Sequence, residues 1–142
     1  MQYVLGFAFC DGHVALILKK RGPEALIGNW NGIGGKIEEG ELAVQAMVRE
    51  FYEECSYVTE QRHWNFFGDY RGRGWAIALF RINLRRQQDG NLPTIMCKEL
   101  GGEFVSWFKA DLSDCVSPQG NLRWLIPMAL YTGANSLDIY EE

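Results

Sequence analysis

The sequence predicts an α/β fold in which one β-sheet is covered by helices on both faces. Segments with strand periodicity are mixed with segments of helical periodicity, and the two helical segments lie far apart along the chain. A sheet flanked by helices is the natural packing for such an order. With 142 residues, of which 47% are hydrophobic, residues 1–142 are predicted to form a single domain.

The N-terminal elements are predicted to form a β-hairpin. Tyr3–Cys10 is predicted to be a strand and His13–Lys20 its partner, with Val14, Leu16 and Leu18 on one face. The Asp11-Gly12 pair between them is typical of a tight hairpin turn. Residues 21–31, which contain a Gly-Pro pair and a further glycine, are predicted to be a loop.

A central helix is predicted from an apolar stripe at helical spacing. The stripe is formed by Val44, Met47, Val48, Phe51 and Cys55. Because these residues define a core side, Glu50 and Glu54 are predicted to lie off that side, toward the rim of a cleft.

The second half of the chain is predicted to contain three more strands and one more helix. Residues 85–102 are polar and irregular, and residues 132–142 are predicted to be a surface tail. Pro127 lies inside the helical pattern, where it either kinks the helix or shifts its start. The predicted strands are His63–Tyr70, Trp75–Leu84 and Glu103–Phe108, and the predicted helix is Asn121–Tyr131.

The central helix carries three carboxylates, Glu50, Glu53 and Glu54, at positions i, i+3 and i+4. Such a run is usually a solvated helix face. Like charges on adjacent turns repel, however, and a hard divalent cation such as Mg²⁺ or Mn²⁺ would neutralise them. Before the helix, a glycine-rich turn at Gly34-Gly35-Lys36 would let a ligand approach the backbone beside a fixed positive charge.

The spacing of these residues resembles the box of the Nudix hydrolase family, Gly-x5-Glu-x7-Arg-Glu-U-x-Glu-Glu-x-Gly-U. Gly35, Glu41, Arg49-Glu50 and Glu53-Glu54 occupy its fixed positions. Ser56 and Tyr57 depart from the pattern, since the box ends there with glycine and an aliphatic residue. The glycine ends the helix, so Ser56 affects the helix exit and not the carboxylates.

The resemblance implies a Nudix α/β/α sandwich with a mixed β-sheet between helices, and Mg²⁺ or Mn²⁺ as cofactor. It assigns metal binding to Gly34, Glu50, Glu53 and Glu54, and supporting roles to Gly35, Glu41 and Arg49, with Arg49 orienting a carboxylate. It implies Glu53 as the first choice for general base and Glu103 as the second, so that the implied catalytic residues are Glu50, Glu53, Glu54 and Glu103. An ordinary surface charge at a strand end is an equally good interpretation of Glu103.

The segments flanking the box resemble the MutT-like, oxidised purine (8-oxo-dGTP) triphosphatases. They are Lys19-Lys20-Arg21-Gly22, Trp30-Asn31-Gly32 and Ser117-Pro118-Gln119-Gly120-Asn121. The resemblance assigns Asn31 and Asn121 to the base edge and Lys20 and Lys36 to substrate binding. For Asn121, a helix N-cap is an equally good interpretation.

The function implied is a metal-dependent pyrophosphohydrolase that cleaves a purine nucleoside triphosphate, such as 8-oxo-dGTP, to a monophosphate and pyrophosphate. The alternatives are a Nudix hydrolase for a dinucleoside polyphosphate, a nucleotide sugar or a capped RNA, and a nucleotide-binding module without catalysis. Such modules usually lose box carboxylates, whereas this chain has all of them.

Composition limits the partners. The net charge of −4 and the lack of a basic face argue against duplex nucleic acid. Cys10, Cys55, Cys97 and Cys115 form no CxxC pair, which argues against zinc and favours reduced thiols. Without a signal peptide or a transmembrane-length apolar run, we expect a cytoplasmic protein that does not bind membranes, as a monomer or homodimer, with a small nucleotide as its substrate.

Overall fold

The structure is a computed structural model that describes residues 1–98, 103–131 and 137–140. The described residues form eight strands and two α-helices. The N-terminal elements are β1 (Gln2–Cys10), β2 (His13–Leu18), β3 (Trp30–Asn31), β4 (Ile33–Lys36) and α1 (Ala43–Cys55). They are followed by β5 (Asn65–Gly72), β6 (Trp75–Asn83), β7 (Phe104–Lys109), α2 (Leu122–Tyr131) and β8 (Leu137–Tyr140).

All eight described strands belong to one mixed sheet. Its order is β3-β2-β1-β6-β5-β8, with β4 paired to β1 and β7 paired to β2. The β1–β6 and β5–β8 pairs are parallel, and the other pairs are antiparallel. Asp11 and Gly12 join β1 to β2 with φ angles of 45° and 72°, as a tight hairpin turn requires.

The two helices cover opposite faces of this sheet, as predicted. Because successive residues of a strand face opposite sides, β1 supplies both cores. One core joins Val4 and Ala8 to Met47 and Phe51 of α1. The other joins Phe7 and Phe9 to Leu122, Leu125 and Ile126 of α2. The α/β/α sandwich with a mixed sheet is therefore confirmed.

Three strands were not predicted. Gly34-Gly35-Lys36 was predicted to be a turn, but it belongs to β4, where Gly34 pairs with Leu5 of β1. Any side chain at Gly34 would place its Cβ 2.0 Å from the carbonyl oxygen of Val4, which is a clash. The pairing of β4 with β1 therefore needs glycine at this position, although glycine disfavours strands. The predicted loop at residues 21–31 ends in β3, and the predicted C-terminal tail contains β8.

The remaining elements match in kind but differ at their ends. The strand predicted at His63–Tyr70 begins at Asn65 and continues to Gly72. The irregular segment has no helix or strand through residue 98, and its last residues, 99–102, lie outside the described residues. Helix α2 continues through Pro127, which is exposed.

Ser56 ends α1 in the conformation that the missing glycine would have adopted. Its φ and ψ angles are 56° and 34°, and its backbone N–H donates to the Tyr52 carbonyl. A left-handed conformation costs a non-glycine residue about 1 kcal/mol. The Ser56 hydroxyl offsets part of this cost by donating to the Met96 carbonyl at 2.7 Å.

The cysteines of the described chain are all free thiols, and Cys10 and Cys55 are buried. Burial raises the pKa of Cys55 to about 12, so this thiol is a core group and not a nucleophile. Within the described residues, neither helix is long and apolar enough to span a membrane.

Candidate active site

Arg49 is the centre of a cluster that joins α1 to the loop before it. Its Nε and Nη2 donate to the two carboxylate oxygens of Glu41 at 2.8 and 2.9 Å. Its Nη1 donates to Glu50 at 2.8 Å and, less closely, to Glu53 at 3.4 Å. Nη2 also donates to the backbone carbonyl of Lys36 at 3.0 Å, which fixes the end of β4 to the helix. The guanidinium thus orients several carboxylates at once.

Glu50 is buried, which corrects the prediction that it lies at the rim. Only 9% of the residue is exposed. The carboxylate lies directly against the backbone of β4, since a Cβ built on Gly35 would be 2.3 Å from its Oε1. The absence of a side chain at Gly35 therefore makes room for the Glu50 carboxylate. The role that the sequence suggested for Gly35, close approach of a ligand to the backbone, stays a prediction.

The charges of this cluster perturb one another. The hydrogen bond from Arg49 lowers the pKa of Glu41, and the bond to Glu41 raises the pKa of Arg49. Burial raises the pKa of Glu50, although Arg49 opposes that effect. The Glu50 carboxylate, which accepts a hydrogen bond from the Arg49 guanidinium, still has free lone pairs. A second positive charge beside it would favour its ionised form.

The three helix carboxylates do not converge in the described structure. Glu50 points to Arg49 and Gly35, while 53% of the Glu53 side chain is exposed. Across the described residues no group of three or more His, Cys, Asp or Glu side chains is arranged to hold a metal ion. The donor set nevertheless fits a hard cation, because Glu50, Glu53 and Glu54 offer carboxylate oxygens from adjacent turns of α1 and Gly35 leaves room for the Glu50 carboxylate among them.

A second buried carboxylate lies at the start of β7. Glu103 is 5% exposed, so it is not the surface charge that one interpretation of the sequence suggested. Its Oε2 accepts the backbone N–H of Lys20 at 2.7 Å, and its Oε1 accepts from Nζ of Lys19 at 3.3 Å. The Lys20 ammonium lies 4.1 Å from the centroid of the Phe104 ring.

Lys19 interacts with both buried carboxylates, Glu103 and Glu50, and no sequence pattern distinguished it from Lys20. It forms the ion pair with Glu103, and its charge also lowers the pKa of Glu50. The contact depends on the pairing of β2 with β7, in which Leu18 lies opposite Phe104. No local pattern could have indicated that pairing.

The predicted base-recognition residues lie on neighbouring segments. Trp30 forms an isolated parallel bridge with Pro118, and its backbone bonds to Ser117 and Gln119 at 3.0 and 2.8 Å. Asn31 follows Trp30 in β3, and its side-chain oxygen accepts the N–H of Gly32 at 2.8 Å. The fold therefore brings the segments of Asn31 and Asn121 together, although they are far apart in sequence.

Asn121 does not act as a side-chain N-cap. It precedes α2, and its backbone carbonyl accepts from Leu125 at 2.9 Å. Its side-chain Oδ1 is buried and has no hydrogen-bond partner among the described residues. A cap would accept a backbone N–H of the first turn. A buried acceptor without a partner is costly, so this oxygen would gain free energy from a hydrogen-bond donor.

Residues 2–121 match the family model of the NUDIX domain. The chain belongs to the NUDIX domain family. The match spans the carboxylate cluster, β7 and the segment that ends at Asn121.

Known proteins resemble this Nudix chain in part of its sequence and in most of its fold. The oxidized purine nucleoside triphosphate hydrolase of Danio rerio is 46% identical over 52 residues, which are 37% of this chain and 32% of that protein. The alignment thus spans about a third of the curated relative.

Two solved structures share the fold. The mutator MutT protein from Bacillus halodurans has a TM-score of 0.70 and 19% identity, covering 96% of this chain and 86% of that chain. The NUDIX domain of Shewanella oneidensis NrtR, solved with ADP ribose, has a TM-score of 0.66 and 20% identity, covering 92% and 86%.

The close contact in the Nudix box gives a first prediction, for Gly35→Ala. The new methyl group would overlap the Glu50 carboxylate, so Glu50 and its bond to Arg49 must shift. A displacement of about 1 Å in such a site can lower turnover on the order of 10²-fold. We therefore expect steady-state assays to show this loss, with the protein still folded by circular dichroism.

A double-mutant cycle with Glu50→Gln tests the cause. If the methyl group acts through Glu50, adding Gly35→Ala to Glu50→Gln should lower turnover far less than it does in the wild type. Independent, multiplicative losses would show that Gly35 acts in some other way.

Proposed function

We propose that this chain is a metal-dependent pyrophosphohydrolase that converts an oxidised purine nucleoside triphosphate, such as 8-oxo-dGTP, to the monophosphate and pyrophosphate. The observation that carries the proposal is the buried Glu50 carboxylate, held between Gly35 and Arg49 one helical turn from Glu53 and Glu54. This arrangement does not stabilise the helix. Burial of the Glu50 carboxylate costs desolvation free energy, and the two neighbouring carboxylates repel it.

Glu50, Glu53 and Glu54, with the Gly34 backbone, would hold Mg²⁺ or Mn²⁺. When bound, the cation supplies Lewis acidity toward phosphoryl oxygens. Arg49 and Glu41 orient the Glu50 carboxylate, and the bond from Arg49 to Lys36 positions the end of β4. Lys36, at the end of β4, and Lys20, shortly after the end of β2, are exposed and would bind phosphate oxygens.

Of the two candidates for the general base, the contacts favour Glu53. Both oxygens of Glu103 already accept hydrogen bonds, from Lys19 and from the Lys20 backbone. Glu53 is more than half exposed and has one long contact to Arg49. Its carboxylate is therefore freer to accept a proton from an attacking water. In this assignment Glu103 positions the Lys19 side chain and the backbone of Lys20 at the start of the loop after β2.

The substrate class rests on the partial likeness to the oxidised-purine hydrolase and on the two asparagines. The buried Oδ1 of Asn121 would accept a hydrogen bond from a donor on the base edge. An amide both donates and accepts, which suits a guanine-like edge. Asn31, on the neighbouring segment, would bind the same base.

Another nucleoside diphosphate derivative is the alternative substrate: a dinucleoside polyphosphate, a nucleotide sugar or a capped RNA. The NrtR domain shows that this fold can hold ADP ribose. A nucleotide-binding module without catalysis is the third candidate, and the complete set of box carboxylates argues against it.

A nucleotide panel in Mg²⁺ tests the proposal. We expect 8-oxo-dGTP to have the highest kcat/KM, with pyrophosphate and not orthophosphate as the product. A preference for ADP-ribose or a dinucleoside polyphosphate would overturn the proposed substrate class but support the proposed hydrolase activity. Binding without turnover of any member would contradict the enzyme itself.

Asn121→Ala gives a second prediction. If Asn121 binds the base, KM for 8-oxo-dGTP should rise on the order of tenfold, which corresponds to the free energy of about one hydrogen bond. The ranking among bases should flatten, while kcat on a poor substrate should change little. The melting temperature should not fall, because the substitution removes a buried acceptor that has no partner among the described residues.

A purely structural role for the Asn121 side chain predicts the opposite result for the same variant. Its loss would lower the stability by about 1 kcal/mol and preserve the ranking among bases. The melting curve and the nucleotide panel together therefore decide between the two roles.

A further inference from the structure

A basic groove lies away from the candidate active site. It is bounded by Arg62, His63 and Asn65 on one side and by residues 83–88, the end of β6 and the loop after it, on the other. Its volume is about 700 Å³, within the range of roughly 300–1,000 Å³ typical of small-molecule sites.

Strand registers place the groove at the opposite end of the sheet from the Glu50 cluster. Gly35 pairs with Val4, near the start of β1. Asn83, at the groove, pairs with Phe9, near the end of β1. At about 3.3 Å per residue, the two levels are roughly 16 Å apart along the strand. The groove is therefore a separate surface.

The charge of the groove differs from that of the whole chain. Arg62, Arg85 and Arg86 line it together with His63, and none of the described residues that line it is acidic. This lining belongs to a protein with a net charge of −4. Amide side chains, such as Asn83 and Gln88, add further hydrogen-bond donors. The groove thus offers donors and positive charge to an anion.

Two of the arginines form ion pairs at the surface and keep further donors free. Nε of Arg62 donates to Glu60 at 2.6 Å. Arg86 pairs through Nε with Asp11, and its Nη1 donates to the Gly90 carbonyl at 2.9 Å. A guanidinium has five N–H donors, so each of these groups keeps several for a ligand. Arg85 is exposed and has no ion pair or hydrogen bond within the described residues.

The loop after β6, which carries Arg85 and Arg86, is stabilised by hydrogen bonds of its own. Gln87 bonds through its backbone N–H to Asn91 at 2.8 Å and through its side chain to Thr94 at 2.9 Å. The N–H of Leu84 donates to the Phe9 carbonyl at 2.7 Å, which ties the loop to the sheet. A braced loop loses little conformational entropy when a ligand binds.

We propose that this groove binds a di- or triphosphate group. The planar guanidinium fork matches phosphate oxygens, and several forks around one volume favour a chain of phosphates over a single carboxylate. Free inorganic polyphosphate and the phosphate chain of a nucleotide share this chemistry. Binding here needs no divalent cation, which distinguishes it from binding at the Nudix box.

Amide NMR spectra of the wild-type protein, recorded in excess chelator during titration with inorganic tripolyphosphate, test the proposal. We expect shifts concentrated at residues 61–65 and 83–88, with an affinity that falls as salt is added. Arg85→Gln should weaken binding roughly tenfold, as expected for one charge-assisted hydrogen bond. A parallel titration with ATP distinguishes the two sources: tighter binding of ATP identifies a nucleotide, and weaker binding identifies the inorganic chain.

Arg73→Gln is the matched control, because Arg73 is an exposed arginine in the β5–β6 turn at the opposite end of the sheet. It should bind tripolyphosphate within twofold of the wild type. Equal weakening by both variants, or shifts confined to residues 34–36 and 49–54, would overturn the proposal. Binding of a single-stranded oligonucleotide at least tenfold tighter than either phosphate ligand would also overturn it, in favour of a nucleic-acid surface.

Discussion

Replacing Glu53 with glutamine should lower kcat by roughly 10²–10⁴-fold, the range typical for loss of a general base. Glutamine keeps the size and polarity of the side chain but cannot take up a proton. The fold should persist, because Glu53 is more than half exposed and its contact to Arg49 is 3.4 Å long. Exposed i,i+4 pairs contribute about 0.5 kcal/mol or less, so the melting temperature should stay close to the wild-type value.

Two further variants make this result specific. Glu39→Gln removes an exposed carboxylate of the loop before α1 and should leave kcat unchanged. Glu103→Gln should lower kcat less than Glu53→Gln, because Glu103 already accepts bonds from Lys19 and Lys20. If instead Glu103→Gln abolishes turnover and a folded Glu53→Gln protein retains it, Glu103 is the base.

The fold was predictable where periodicity and core coincide. The apolar residues on either side of the Asp11-Gly12 turn identified β1 and β2, which are buried on both faces, and the helical stripe identified α1, which is buried on one face. Strand β4 could not be predicted, since its two glycines disfavour a strand locally. It forms because Gly34 allows the backbones of β1 and β4 to approach, which is a property of the pair and not of the segment.

The candidate site was predictable to the same extent. Helical spacing placed Glu50, Glu53 and Glu54 on adjacent turns of α1. The burial of Glu50 depends on the strand that packs beneath it, so the sequence alone suggested a position at the rim. The bond between Glu103 and Lys20 joins residues 83 positions apart. Such a contact follows from strand pairing, which local patterns do not encode.

Asn121 illustrates a case in which the sequence left two roles open. An asparagine before a helix is typical of an N-cap, and the resemblance implied base recognition. The structure shows that the helix begins without a bond to the Asn121 side chain, whose Oδ1 is buried without a partner among the described residues. This contact pattern depends on how the preceding segment packs beside Trp30.

Removal of divalent cations should abolish turnover completely and reversibly. The helix carboxylates can act on a phosphate chain, which is itself anionic, only when a cation neutralises both. In excess chelator the hydrolysis of 8-oxo-dGTP should fall to the uncatalysed rate, and added Mg²⁺ should restore it. Full turnover in chelator would contradict the metal-dependent proposal.

Thermal unfolding gives a readout of the same site that does not depend on turnover. A cation that binds only the folded state at about 100 times its dissociation constant adds ~2.7 kcal/mol of stability. For a chain of this size each kcal/mol corresponds to roughly 2–4 °C, so Mg²⁺ should raise the melting temperature by several degrees. Glu50→Gln should lose most of this increase, because it removes the charge of the buried carboxylate that we propose as a ligand, whereas Glu39→Gln should keep it. An equal increase in both variants would mean that Mg²⁺ stabilises the protein at some place other than the Nudix box.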